Sequence, residues 1–168
     1  VQKKQINQVV DEGVDVLIVA RNQFRAISKA VERDYDRGIP VILYDRKTNS
    51  DKYTAFIGCD NYVIGKSMGT FIAQPLHGKG RIVEIRGLEG SSPAIERHRG
   101  FMDAVKHYPD IHLVASEGGD WKEESGIKAM KRIPQQTQAF DYVFAHNDRL
   151  AWGAYVAARQ MGVNRTYK

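Results

Sequence analysis

Polar side chains directly follow one of the apolar segments of this chain, in a position to bind a polar ligand. Asp45 and Arg46 come immediately after the apolar run PVILY. A carboxylate beside a guanidinium can grip neighbouring hydroxyl groups, because one accepts and the other donates charge-assisted hydrogen bonds. A mutual surface ion pair, with a contribution of about 0 to 1 kcal/mol, explains the same two residues equally well. Both interpretations stay open.

Four further side chains occupy similar places later in the chain. Arg97 lies near the start of the helix predicted after the segment RIVEIRG, and Asn147 and Asp148 follow the run DYVFAH. We expect Asp148 to cap the next helix, which leaves Asn147 to face a ligand. Trp121 lies in the loop GGDWKE, where its indole could stack on the C–H face of a sugar ring or bury a helix N-terminus.

No catalytic or metal-binding pattern accompanies these residues. The segment at 65–69, GKSMG, matches the G-x-S-x-G nucleophile pattern, but Ser67 falls inside a predicted helix instead of at a strand-to-helix turn. Asp60 stands where a phosphate-binding loop would need its first glycine. The five histidines and Cys59 form neither an i, i+4 pair on one helix nor a Cys-x-x-Cys motif. We therefore expect no enzymatic activity, no metal and no cofactor in this region.

Composition excludes several classes of protein. The 168 residues contain no apolar run near the roughly 20 residues that span a bilayer, and the hydrophobic fraction of 42% suits a soluble fold. The 25 basic and 20 acidic residues give a net charge of +5, with the two signs interspersed. We expect no direct contact with nucleic acid, because the sequence has no basic arm or stripe. A single cysteine excludes an internal disulfide.

Apolar strands alternate with amphipathic helices along the chain and would position the polar residues. The predicted strands cover 15–20, 40–45, 54–59, 81–87, 112–118 and 141–147. This alternation predicts an α/β fold with parallel strands covered on both faces, and such sheets bind ligands at the carboxyl ends of their strands. Six strands fit either one sheet or two half-lobes of three, and periodicity does not choose between them.

The apolar faces of two helices give further expectations. His98 shares the apolar stripe of Ala94 and Phe101, so we expect a partly buried histidine with a hydrogen-bond partner. The helix after the third strand ends by Gly78, and its predicted core-facing stripe is Ile64, Met68, Phe71 and Ile72.

Four segments resemble consecutive blocks of the type 1 periplasmic sugar-binding protein family, in its ribose-binding-protein branch: GIPVILYDRK, IGCDNYVIGKSMG, GLEGSSPAIERHRGF and VFAHNDRLAWGA. The resemblance follows the order and spacing of the family from about Ile6 to Gly162. The variant ERHRGF, with SDKYTAFIG and DWKEE, is most similar to sugar-sensing input domains of Bacteroides-type hybrid two-component sensor kinases.

The resemblance implies two Rossmann-like, three-layer α/β/α lobes hinged about a sugar cleft, each present only in part. Residues 1–77 would belong to the N-terminal lobe and residues 78–168 to the C-terminal lobe. The chain starts inside a predicted helix with neither an initiator Met nor a signal segment, and it omits the first strand of the family. We therefore expect a fragment that on its own binds sugar weakly or not at all.

The resemblance also implies the ligand-binding residues. Asp45 and Arg46 would hold ring hydroxyls, and Arg97 would be the sugar-binding arginine of the family. The remaining implied contacts are Trp121 as the stacking wall, Asn147 as a polar contact and Leu88 on the apolar side. The polar residue and proline with which the family usually ends the strand at 15–20 are replaced by Ala20 and Arg21, and Asn22 is the substitute we expect.

The implied function is binding of a monosaccharide between the lobes, with hinge closure as the signal and no bond made or broken. The first expectation is a periplasmic sensor domain of a two-component system, whose partner is a membrane-anchored kinase region of the same chain. The alternatives are a solute-binding protein that delivers sugar to an ABC-transporter permease, or the effector-binding domain of a cytoplasmic, lactose-repressor-like regulator. A homodimer is compatible with each role.

Overall fold

The computed structural model describes residues 2–20, 27–137 and 139–162, without the side chain of residue 135. The chain forms two compact units, Val1–Asp60 with Gly90–Ser92, and Asn61–Glu89 with Pro93–Lys168. Each unit holds one three-stranded parallel sheet, so the six strands form two sheets of three. No helix in the described part of the chain has the length and apolar character needed to cross a membrane.

The first unit is a short parallel sheet with helices on one face. Its elements are α1 (Gln2–Asp11), β1 (Leu17–Ala20), α2 (Ser28–Asp36), β2 (Val41–Tyr44) and β3 (Ala55–Ile57), with strand order β1-β2-β3. Side chains alternate between the two faces of a strand, so Val19 and Leu43 are buried against the helices together with Val31. Ile18 and Tyr44 lie on the opposite face and are more than half exposed.

The second unit contains the longer strands. Its elements are α3 (Asn61–Ala73), β4 (Lys79–Leu88), α4 (Ser92–Val105), β5 (Asp110–Gly119), α5 (Glu123–Arg132), a 3₁₀ turn (Ile133–Gln135), β6 (Tyr142–Ala145) and α6 (Asp148–Gln160). The strand order is β5-β4-β6, so β4 is central and is covered on both faces. Val83 and Ile85 pack into one apolar cluster, while Ile82 packs into another with Phe101 and Phe144. Covered faces explain why β4 is buried without interruption from Ile82 to Ile85.

Helix α3 packs with the second unit through small residues. A Cβ atom on Gly65 would lie 2.0 Å from the carbonyl oxygen of Arg97, and one on Gly69 would lie 2.7 Å from Cβ of Ala104. Glycine therefore permits the backbones of α3 and α4 to meet. By contacts, the second unit begins at Asn61. The expected division into lobes at residues 1–77 and 78–168 stays a prediction.

The same close approach changes which face of α3 is buried. Met68 is 37% exposed and Phe71 is 55% exposed, so the predicted core-facing stripe is wrong at these two positions. The buried side of the helix carries Gly65, Gly69 and Ile72, because bulky side chains would hold α4 away. Ser67 is exposed in the middle of α3, which agrees with its exclusion as a nucleophile.

Candidate functional site

The carboxyl ends of β4, β5 and β6 bring together three of the predicted site residues in the second unit. The guanidinium carbon of Arg97 lies 5.5 Å from the ring centroid of Trp121. Asn147 donates a hydrogen bond from Nδ2 to the carbonyl oxygen of Trp121 at 3.1 Å. This is the edge at which open α/β sheets bind ligands.

Trp121 follows β5 and its ring lies against the end of β4. A Cβ atom built on Gly87 would lie 2.0 to 2.4 Å from three atoms of the six-membered ring of Trp121, so only glycine lets the indole come this close. The φ angle of Trp121 is 72°, in the left-handed region that a bulky residue adopts at a cost of about 1 to 3 kcal/mol. The partly exposed indole thus has a fixed position at the edge of the sheet.

Asn147 caps helix α6. Its Oδ1 accepts a hydrogen bond from the backbone N–H of Leu150 at 2.9 Å, while its Nδ2 binds the backbone of Trp121. The expectation that Asp148 is the cap is wrong, because Asp148 is the first residue of α6 and its side chain is exposed. Asn147 therefore connects the start of α6 to the Trp121 loop.

Arg97 is held on two sides. Its Nε donates to Oδ1 of Asn61 at 3.0 Å, and its Nη1 donates to the carbonyl oxygen of His146. The plane of the guanidinium is fixed by these bonds and by the indole beside it, which is a cation–π arrangement. Arg97 thus presents its donors from a rigid position.

A buried polar cluster that sequence reasoning missed lies behind these residues. Glu84 on β4 is fully buried and accepts hydrogen bonds from Ser116 Oγ at 2.7 Å, from His98 Nδ1 at 2.9 Å and from His146 Nε2 at 2.9 Å. The expectation of a partly buried, hydrogen-bonded His98 agrees with this contact. A carboxylate within the buried run RIVEIRG was the available signal, since a buried charge needs partners.

The protonation states of the cluster follow from its geometry. Nδ1 of His146 accepts a hydrogen bond from the backbone N–H of Gly87 at 3.2 Å, so Nε2 carries the proton and donates it to Glu84. Burial lowers the pKa of His146 and outweighs the opposing effect of Glu84, so the imidazole is neutral. Burial by itself would raise the pKa of Glu84, but hydrogen bonds from His146, His98 and Ser116 lower it to about 2. Glu84 is therefore ionised at neutral pH.

Asp45 and Arg46 lie at the carboxyl end of β2 in the first unit. Nε of Arg46 is 3.3 Å from Oδ2 of Asp45, so the two form the ion pair that the sequence allowed. Asp45 has a φ angle of 69°, a conformation that aspartate tolerates better than most residues, and its side chain is 63% exposed. The side chain of Arg46 is only 13% exposed. The pair thus directs a carboxylate to solvent with a guanidinium behind it.

Leu88 and Asn22 are the remaining predicted ligand contacts. Leu88 is the last residue of β4 and is partly buried. Asn22 and Arg21 lie outside the described residues. Among the residues that the structure describes, no group of three or more His, Cys, Asp or Glu side chains is arranged to hold a metal ion.

The architecture agrees with a family of binding proteins. Residues 1–167 match the family model described as a periplasmic binding protein domain. The chain belongs to this family and has its type 1 fold, so the expected fold and family are confirmed.

Particular relatives are similar over almost the whole chain. A solved structure, the fructose-binding periplasmic domain of a hybrid two-component system, is 48% identical with a TM-score of 0.91, over 96% of this chain and 54% of that one. The galactofuranose-binding protein YtfQ of Escherichia coli (strain K12) is 31% identical over 96% of this chain and 55% of its own length. The ribose import binding protein RbsB of Bacillus subtilis (strain 168) is 30% identical over 96% and 52%. The chain spans about half the length of these relatives, all of which are named for binding and not for catalysis.

Proposed function

We propose that this chain forms part of a periplasmic sensor domain that binds a monosaccharide and belongs to a two-component regulatory system. The observation that carries the proposal is the 48% identity, over 96% of the chain, to the fructose-binding periplasmic domain of a hybrid two-component system. The proposed partner is a membrane-anchored kinase region of the same protein. The expected location in the periplasm rests on the family to which the chain belongs.

The residues at the carboxyl ends of the strands suit a sugar. A pyranose or furanose ring presents C–H groups on its faces and hydroxyl groups at its edge, so it needs an aromatic surface together with polar side chains around it. Trp121 offers the partly exposed aromatic surface, and Arg97 offers donors beside it. We propose Asn147 and Leu88 as adjoining contacts of the same ligand, and Asn22 as a further polar contact.

Asp45 and Arg46 of the first unit are proposed to hold further hydroxyl groups. The exposed carboxylate accepts from them and the guanidinium donates to them. Contacts that form only with sugar bound favour the closed conformation by their differential free energy, and this closure is the proposed signal. No covalent step is involved.

Calorimetric titration of the complete protein tests this proposal. The panel of sugars is D-fructose, D-ribose, L-arabinose and D-galactose. We expect one of them to bind, and we expect Trp121→Ala, Arg97→Ala and Asp45→Ala each to weaken binding by about tenfold or more. Trp152→Ala is the matched control, because Trp152 is an exposed tryptophan on α6 and is not a proposed contact.

Two results contradict the proposal. One is the absence of binding by every sugar of the panel to a protein that unfolds cooperatively. The other is an equal effect of Trp121→Ala and Trp152→Ala on affinity, since the assigned stacking surface would then have no special role.

A second candidate function is delivery of sugar to an ABC-transporter permease. The similarity to the ribose import binding protein of Bacillus subtilis favours it. The two functions differ in their output: a sensor changes the phosphorylation of its kinase region when sugar is added, whereas a transport protein supports sugar uptake. Measuring sugar-dependent autophosphorylation of the complete protein, and uptake of labelled sugar by a deletion strain, separates them.

A further inference from the structure

The buried carboxylate of Glu84 is connected to the candidate site through the side chain of His146. Both ring nitrogens of His146 are engaged, Nε2 with Glu84 at 2.9 Å and Nδ1 with the N–H of Gly87 at 3.2 Å. His146 is only 3% exposed, and its backbone N–H donates to the carbonyl oxygen of Ile85 at 3.0 Å. The ring and the backbone of this residue are therefore both fixed to β4.

The segment His146–Asn147, which we call the anchor loop, contacts both principal residues of the candidate site. The carbonyl oxygen of His146 accepts from Nη1 of Arg97. The side chain of Asn147 donates to the carbonyl oxygen of Trp121. The ring of His146 also lies 6.4 Å from the ring of Trp121, measured between centroids. A shift of the anchor loop would thus move the guanidinium and the indole together.

We propose that Glu84 and His146 are positioning residues, which hold the anchor loop so that Arg97 and Trp121 are arranged for the ligand before it binds. The inference rests on the proposed function for the ligand, but the arrangement itself exists without it. Preorganised side chains bind more tightly because less conformational freedom is lost when the ligand arrives.

Stability alone is a weak reason for this cluster. A buried ionised carboxylate loses its hydration, and well-packed apolar residues in place of a buried ionic group are often equally or more stabilising. Glu84 shares its face of β4 with Ile82, where an apolar residue would continue the cluster that contains Phe101 and Phe144. The carboxylate instead fixes the local geometry, because its oxygens bind and orient the imidazole rings of His98 and His146, which lie on different elements.

Substitutions at His146 separate positioning from stability. His146→Phe keeps an aromatic ring but removes both hydrogen bonds, while His146→Gln retains an N–H donor for Glu84. Ser116→Ala is the control, because it also removes one hydrogen bond to Glu84 but does not involve the anchor loop. All variants are made in the complete protein with Trp152→Phe, so that of the two tryptophans in this sequence only Trp121 remains.

Three measurements are made on each variant. Fluorescence emission and acrylamide quenching without sugar report the position of the Trp121 indole, when each is taken as the difference between a variant and the same variant with Trp121→Phe. Calorimetric titration with D-fructose, or with the sugar of the panel that binds, reports affinity. Thermal unfolding reports stability.

We expect His146→Phe to increase quenching of Trp121 and to weaken sugar binding by about tenfold, while His146→Gln restores at least part of both properties. Ser116→Ala should lower the unfolding temperature but leave quenching unchanged and affinity within about twofold. The inference is overturned if quenching in His146→Phe equals that of the parent, or if Ser116→Ala weakens binding as much as His146→Phe. When the parent binds no sugar, the quenching comparison still tests positioning, whereas the proposed function has failed.

Discussion

The contact between Gly87 and Trp121 gives the most direct test of how the site is built. In Gly87→Ala the new Cβ atom would lie 2.0 Å from Cη2, 2.2 Å from Cζ2 and 2.4 Å from Cζ3 of the indole. Ordinary van der Waals contact begins at 3.4 Å, so the ring must move away from β4 by about 1.4 Å. Gly87 is skipped where β4 pairs with β5, and the pairing with β6 ends at Ile85, so its backbone is held instead by the hydrogen bond from its N–H to Nδ1 of His146 at 3.2 Å.

The magnitude of the effect follows from this displacement. Adding a methyl group to a well-packed site costs about 1 to 3 kcal/mol of unfolding free energy. Loss of the correct aromatic surface for a sugar ring costs about 0.5 to 1.5 kcal/mol, which corresponds to roughly a two- to tenfold weaker affinity. Gly87→Ala should therefore reduce both stability and sugar binding.

Gly118→Ala is a matched control on the neighbouring strand. Gly118 pairs with Arg86 on β4, and a Cβ atom at Gly118 meets no other atom within 4 Å. The same glycine-to-alanine change should leave sugar affinity unchanged, with stability equal to the parent or higher by up to about 1 kcal/mol.

Urea unfolding and calorimetric titration measure these quantities, together with Trp121 emission, which is the difference between each Trp152→Phe variant and the same variant with Trp121→Phe. The reasoning about the glycine contact is refuted if Gly87→Ala and Gly118→Ala unfold at the same urea concentration with the same Trp121 emission. Unchanged emission would mean that the indole does not have to move.

Three further predictions concern charge, helix packing and the cap. The pKa of Glu84 is about 2 in the fold, against an ordinary value of 4.5. The charged form therefore contributes about 3 kcal/mol to the unfolding free energy above pH 4.5, and this contribution is lost as the pH falls from 4.5 through 2. Urea unfolding against pH should show this loss, and Glu84→Gln should remove it. Gly65→Ala should lower the unfolding free energy by about 1 to 3 kcal/mol or more in urea titrations, because its Cβ would meet a backbone carbonyl at 2.0 Å. Ser67→Ala on the exposed side of α3 should change the unfolding free energy by less than about 0.5 kcal/mol. Asn147→Asp keeps the acceptor that caps α6 but loses the donor to Trp121, so calorimetry should show weaker sugar binding while the unfolding temperature changes little.

A specific result would contradict each of these three predictions. An identical loss of stability between pH 4.5 and pH 3 in the parent and in Glu84→Gln would place the acid sensitivity elsewhere. Equal unfolding free energies for Gly65→Ala and Ser67→Ala would mean that α3 is not packed closely on α4. Full sugar affinity in Asn147→Asp would show that the bond to the Trp121 loop is unimportant for binding.

Local sequence patterns predicted most of the fold. The six strands lie where hydrophobic periodicity places them, with differences of one or two residues at their ends, as at β3 (Ala55–Ile57) within the predicted 54–59. The helices also lie where predicted, but α3 ends at Ala73, five residues before the predicted end at Gly78. The short 3₁₀ turn at Ile133–Gln135 was missed. Periodicity succeeds because an element buries a face that its own residues define.

The candidate site was predicted only in part. Arg97, Trp121 and Asn147 do meet at the carboxyl edge of one sheet, as the rule for open α/β sheets led us to expect. Glu84 and His146 were not predicted, because the two residues are 62 positions apart and each looks ordinary in its own segment. Asn147 and Asp148 are both good caps, so the sequence could not tell which would accept from the helix.

The sequence by itself determined the order and type of the elements, the α/β class and the family, because these depend on local periodicity and on blocks of residues in a fixed order. The tertiary structure decided that α3 packs on α4, that the ring of Trp121 lies on Gly87, and that Glu84 holds the anchor loop. These features arise from close approach between segments that are distant in sequence, where the missing side chain of a glycine or the direction of one hydrogen bond sets the geometry. No local pattern encodes that proximity.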